Sequence, residues 1–253
     1  MTNVTFNSFD LQDSNYHTRK ITHRKFPERI ILAEPKSRRD GFSIVDKYFE
    51  KKVIVLEGTI TGNSEAGLRT LVDNMKKEIR GTDKNLDIDY GGSTIRYKAT
   101  VQKLEIPEDY FHLTFVPFEI EFLCHPLGKA TSTTNHSDDD ITSSPHNGSV
   151  TITGSESPLP VIKLTIDAET SMSVVKFKNT TTNTEITVTR AFSAGEVLEI
   201  DCENLTVKVD GTEVDFTGVF PEFEPGSNSY TITITDGGSF NVDLDIDYYP
   251  TYS

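Results

Sequence analysis

The sequence predicts a mainly β protein: an N-terminal β-rich domain with one α-helix, followed by a C-terminal antiparallel β-sandwich. Three observations carry this reading. Apolar and polar residues alternate over short runs along most of the chain, helical spacing occurs in one stretch only, and a tract poor in apolar residues separates two halves. At 253 residues the chain is long enough for two domains, each with its own core.

The first forty residues are rich in His, Lys and Arg, with only brief apolar runs between them, and read as a basic arm. Two accounts of it stay open: a solvated face of a strand pair, or a contact with an acidic neighbour. Lys52 to Gly62 (KVIVLEGTITG) then alternates Ile54, Leu56, Gly58 and Ile60 with Val53, Val55, Glu57, Thr59 and Thr61, the period of a half-buried strand. From Ser64 to Gly81 the period changes, with Leu68, Leu71, Val72, Met75 and Ile79 at helical spacing. Ser64 is placed to cap and Gly81 to stop, so a helix is predicted over about 64–80. Strands are predicted at Asn85 to Tyr90, Thr94 to Ile106 and His112 to Cys124, the first two joined by a tight turn at Gly91 and Gly92, as an antiparallel meander.

Between Cys124 and Val150 the chain reads HPLGKATSTTNHSDDDITSSPHNGS, with few side chains able to build a core. The expected division is a domain over 1–130, a linker or long loop over 131–147 and a second domain over 148–253. Beyond it, short strands recur regularly from Ser149 to Tyr248, with turn residues at Thr182-Asn183, Asp210-Gly211 and Asp236-Gly237-Gly238. That spacing is the mark of a sandwich.

Residues 1 to 125 hold 19 Lys and Arg against 19 Asp and Glu, whereas residues 126 to 253 hold 6 against 20, giving net charges of 0 and −14. Nucleic-acid binding draws its affinity from cations displacing counterions, so specific nucleic-acid recognition is excluded from the expectations. The longest apolar runs are a few residues, against the ~20 that cross a bilayer, so no membrane insertion is expected. The N-terminus shows no secretory pattern, and Cys124 and Cys202, one in each half, read as buried free thiols.

Catalytic chemistry has no visible foothold. The histidines at 17, 23, 112, 125, 136 and 146 sit in no recognisable motif, and there is no phosphate-binding glycine loop, dinucleotide fingerprint or HExxH. His136, Asp138, Asp139, Asp140 and His146 carry metal-ligating atoms, but their spacing matches no known loop and they read as a solvated spacer. No enzyme activity, cofactor or metal is therefore expected. A saccharide-binding sandwich usually presents an aromatic ring, often Trp; this chain has none, leaving Tyr230, Tyr248, Tyr249 and Tyr252 as substitutes.

Several segments together resemble the distal tail proteins of siphophages. In the first half these are GFSIVDKYFEKKVIVLEGTITGNSEAGLRTLVDNMKKEI, LDIDYGGSTIRYKATVQKLEI and FVPFEIEFLCHPLG. In the second, SPLPVIKLTI, NTTTNTEITV, AGEVLEIDCENLTVKVDG and FPEFEPGSNSYTITI are similar to that family's galectin-like sandwich. The resemblance implies a structural protein of the virion tail, assembled in the host cytoplasm. It implies a hexameric N-terminal ring between the tail tube protein and a tail-tip or baseplate hub protein, with an outward sandwich where receptor-binding proteins attach. Arg24, Lys25, Arg29, Arg38 and Arg39 are the candidate assembly interface. The alternative is a carbohydrate-binding adhesin module of a phage tail or cell surface.

Overall fold

The computed structural model describes residues 3–36, 40–107, 114–236 and 238–253. They divide into two units, Met1–Thr131 with Ser253, and Ser132–Tyr252. No helix among the described residues is long and apolar enough to cross a membrane.

The first unit contains β1 (Asn3–Phe6), β2 (Phe9–Asp10), β3 (Tyr16–Ile21), β4 (Arg29–Pro35), β5 (Phe42–Phe49) and β6 (Lys52–Thr61). After α1 (Glu65–Glu78) come β7 (Lys84–Tyr90), β8 (Ser93–Glu105), β9 (Phe115–Cys124) and β10 (Gly128–Ala130). The main sheet runs β2-β1-β7-β8-β9-β6-β3, with β10 on β8. β6 and β9 pair along their whole length, from Lys52 opposite Cys124 to Thr61 opposite Phe115. That pairing puts Ile54, Leu56 and Ile60 into one core with Val116, Phe118, Ile120 and Phe122. Gly58 lies directly opposite Phe118, whose ring occupies the space a β-carbon there would need, 2.5 Å from Cζ.

The helix lies within the span its spacing predicts. Ser64 accepts a hydrogen bond from Gly67 N at 3.1 Å, Glu65 stands in the first turn, Lys76 and Lys77 in the last, and Gly81 beyond it takes φ +123°. Its buried face brings Leu68 and Met75 to the core, and Tyr16 donates to the Leu71 carbonyl at 2.9 Å. The expectation of an arm over the first forty residues needs correction. Val4, Phe6, Leu11 and Tyr16 are buried in this core, and β1 and β3 are working members of the sheet. Short strands separated by polar turns hide that role, because each contributes only one or two apolar residues.

Lys52 is an unusual core residue, 2% exposed, with Nζ 3.2 Å from the Tyr97 hydroxyl and 5.0 Å from its ring centre. Burial lowers its pKa and pushes Tyr97 and Cys124 up to about 12. A buried cation costs more than a tyrosine hydroxyl and ring return. Lys52→Met is expected to raise stability by about 1–3 kcal/mol at neutral pH, read by chemical denaturation. A loss of stability would show that the ammonium is needed in the core.

The second unit holds β11 (Thr134–Ile141), β12 (His146–Ile152), β13 (Val161–Ala168), β14 (Val174–Asn179), β15 (Thr184–Thr189) and β16 (Val197–Asp201). They are followed by β17 (Thr206–Val209), β18 (Thr212–Glu213), β19 (Thr217–Gly218), β20 (Gly226–Thr235), β21 (Asn241–Tyr248) and β22 (Thr251–Tyr252). Two antiparallel sheets form, β11-β21-β13-β16-β17-β18 and β12-β20-β14-β15-β19. Alternate residues such as Ile162, Leu164, Leu244 and Ile246 from one sheet and Val175, Phe177, Ile232 and Ile234 from the other share a single core. Asp210 and Gly211 both have positive φ, as a two-residue hairpin turn requires. Both cysteines are free and buried.

The composition places a linker or long loop at 131–147, and here the structure differs. Residues 134–141 form β11, registered on β21 from Thr134 opposite Tyr248 to Ile141 opposite Val242, and His146 already belongs to β12. Backbone pairing, not side-chain burial, holds β11 at the sheet edge, where polar residues are tolerated.

Candidate assembly surface

Residues 26–49 are built differently from the rest of the first unit. Among the described residues β4 and β5 pair only with each other, from Arg29 opposite Phe49 to Pro35 opposite Phe42. The register shifts between Leu32 and Ala33, leaving Val45 as the extra residue of a bulge on β5. Directly opposed residues share a face, so Ile31, Ala33, Pro35, Phe42 and Ile44 lie on one side, Ile30, Leu32 and Tyr48 on the other. Neither side is covered: Phe42 is 62% exposed and Val45 60%. Of thirteen large exposed apolar side chains among the described residues, seven fall between Phe26 and Tyr48. A lone two-stranded ribbon is marginally stable in water, and a concentrated apolar patch marks a contact with another molecule.

The root of the ribbon is well made. The Arg29 guanidinium lies 5.2 Å from the Phe26 ring centre and 4.7 Å from that of Phe49, and the two rings meet edge-on at 5.3 Å. Glu50 N donates to the Glu28 carbonyl at 2.9 Å, closing the base. Of the residues singled out by charge, Arg24 and Lys25 are exposed just before this root and Arg29 is stacked within it. Arg38 and Arg39 lie outside the described residues. The reading by charge did not single out the apolar ribbon that follows Arg29. The run Ile30-Ile31-Leu32-Ala33, with no alternation, is the signal that could have found it.

The main sheet of the same unit carries a complementary feature. Register sets Lys20 opposite Glu57, Glu57 opposite Glu119 and Glu119 opposite Glu105, three carboxylates in one row across β6, β9 and β8. Like charges directly opposite one another cost stability in the isolated chain. Lys20 and Lys103 pair with the two ends of the row, at Glu57 and Glu105.

A second polar cluster lies in the sandwich, at residues first read as a spacer. Asp138 Oδ2 accepts from His146 Nε2 and from the Tyr230 hydroxyl, each at 2.7 Å, and His136 Nε2 lies 3.3 Å from that hydroxyl. Asp138 stands on one sheet, His146 and Tyr230 on the other, so the cluster ties the two edges together. Asp140 bonds instead toward Asp243 and Asn241. Among the described residues no group of three or more His, Cys, Asp or Glu is arranged to hold a metal ion. Partial burial raises the Asp138 pKa, but hydrogen bonds from Tyr230 and His146, with the nearby imidazoles, outweigh it and leave the carboxyl below its ordinary value. A depressed folded pKa gives stability that is present above the unfolded value near ~3.9 and lost as pH falls through the folded one. Asp138→Asn is expected to cost about 1.5–3 kcal/mol at neutral pH, and the two stability curves should converge in acid. Parallel curves at all pH values would contradict this tie.

Residues 146–252 match the family of siphovirus-type tail components, C-terminal domain, of the SPP1 Dit kind. That match lies in the second unit. The fold of the chain is similar over 100% of both chains to the crystal structure of the SPP1 Dit (gp 19.1) protein, with a TM-score of 0.73 at 13% identity. That protein is described as a paradigm of the hub adsorption apparatus in phages infecting Gram-positive hosts. A chain of the phage P2 baseplate in its activated conformation with Ca matches over 97% of each chain, with a TM-score of 0.41 at 9% identity. No curated protein sequence matches the chain.

Proposed function

We propose that this chain is a structural tail component, a hub that closes into a six-fold ring joining the tail tube to baseplate or tail-tip proteins, without catalytic turnover. The ring forms during virion assembly in the host cytoplasm, and the finished protein resides in the virion tail. The single observation that carries the reading is the β4–β5 ribbon, apolar on both faces and uncovered in the single chain. A ring needs two different surfaces that fit head to tail. The ribbon with its basic root at Arg24, Lys25 and Arg29 is one, and the row Glu57, Glu119 and Glu105 is a surface of opposite charge. Arg38 and Arg39, outside the described residues, stay part of the proposed interface on their charge alone. Electron microscopy of the purified protein, alone and mixed with tail tube protein, tests it. Closed six-fold rings that stack on tubes support the reading; particles of chain size that ignore the tube overturn it.

A further inference from the structure

The sandwich has a surface feature that has no part in the proposed ring contact. A cavity of about 430 Å³ opens between the Ser157-Pro158-Leu159 loop, the turn at Cys202 to Leu205 and the segment from Val219 to Glu224. Its rim is aliphatic and uncovered, with Leu159 53%, Leu205 63% and Val219 60% exposed.

Leu205 stands out by its backbone. Among the described residues seven non-glycine residues have positive φ, and six are Asn, Asp or Ser, which tolerate that region. The seventh is Leu205, at +54°. A branched side chain there strains the turn while placing an apolar group in water, two costs with no return inside the fold.

The opposite wall is irregular chain held rigidly by buried side chains. Asn179 Nδ2 donates to the Glu222 carbonyl at 2.7 Å, and Asn228 Nδ2 donates to that of Glu224 at 2.7 Å. The Thr182 hydroxyl donates to the Glu222 carbonyl, and Glu222 N donates to Thr184 Oγ1. Phe223 turns inward to the core, so the side chains of Glu222 and Glu224 face solvent at the mouth. Neither carboxylate forms an ion pair among the described residues. They lie in the half of the chain whose net charge is −14. The Cys202 thiol at the cavity is pushed up to about 12 by burial and by the Asp201 charge, which leaves it unreactive.

We infer that this cavity is a docking site for an extended segment of a partner protein in which an aliphatic or aromatic side chain is flanked by Lys or Arg. The apolar side chain fills the space between Leu159, Leu205 and Val219, and the flanking cations meet Glu222 and Glu224. The preformed wall fixes the backbone from which both glutamates project before the partner arrives, which lowers the entropic cost of binding. The rim offers aliphatic groups instead of a flat exposed ring with converging hydrogen-bond partners, so the surface suits peptide better than saccharide.

The test uses the full chain and a fluorescent peptide of alternating lysine and leucine, with an alternating glutamate and leucine peptide and a glycan array as controls. Saturable binding of the lysine–leucine peptide is expected, weakened about tenfold or more by Leu205→Gly and by Glu222→Gln with Glu224→Gln. Leu205→Gly removes the strained side chain, so its melting temperature should be unchanged or higher, separating lost binding from lost fold. Equal binding of both peptides, full affinity in Leu205→Gly, or binding confined to glycans each overturns the inference. Because ring formation does not enter this experiment, either result leaves the hub reading to its own test.

Discussion

Ile31→Asp combined with Ile44→Asp leaves the chain folded and unable to assemble. Both residues lie on one face of the β4–β5 ribbon, Ile31 53% and Ile44 56% exposed, so neither supports a core in the single chain. Covering a half-exposed aliphatic side chain returns about 1 kcal/mol, and burying a carboxylate in its place adds a desolvation cost of at least that size. Together the two changes weaken each contact between copies by about 3 kcal/mol or more, a factor of ~100. The expected outcome is a monomer in sedimentation velocity at concentrations where the parent chain assembles, with an unchanged melting temperature of the monomeric fold. If assembly survives, the ribbon is not the contact. If the melting temperature collapses, the ribbon stabilises the single chain instead.

The second large effect lies in the other unit. Gly148 is paired directly with Tyr230, whose ring folds over it so closely that a β-carbon would stand 2.3 Å from both Cζ and the hydroxyl. The ring has nowhere to go, since it stacks on Phe177 with centres 5.6 Å apart and its hydroxyl is committed to Asp138. Gly148→Ala must therefore expel the ring or bend β12, at a cost of about 3–5 kcal/mol from overpacking and the broken tie between the sheets. Chemical denaturation should show the sandwich unfolding at much lower denaturant. Combining Gly148→Ala with Tyr230→Ala removes the clash, so the double variant should be clearly more stable than the two single costs predict. Strict additivity would mean that the methyl never met the ring.

How much of this was legible in the sequence depended on whether a residue's role left a periodic trace. The helix was readable because cap, apolar spacing and stop agree within one stretch, from Ser64 to Gly81. β6 and β21 were readable because every second residue is buried. β11 was not, because in TNHSDDDI only Ile141 is buried and the strand is held by its backbone on an edge. Its side chains reach Tyr230 and Asn241 across long sequence separations, which no local pattern records. The opening strands were hidden for a different reason. Val4, Phe6, Leu11 and Tyr16 reach one core from separate short pieces, with Asp10 and Asp13 bonding the turns between them. In the candidate surface, basic residues drew attention to the stretch from Arg24 to Arg29, whereas the exposed apolar side chains beside them are what call for a partner.

Native mass spectrometry of the purified chain bears most directly on the ring. The account predicts a dominant species at six times the 28.3 kDa chain mass, lost in the Ile31→Asp and Ile44→Asp variant. A parent chain seen only at 28.3 kDa, at every concentration and in the presence of tube protein, would contradict it.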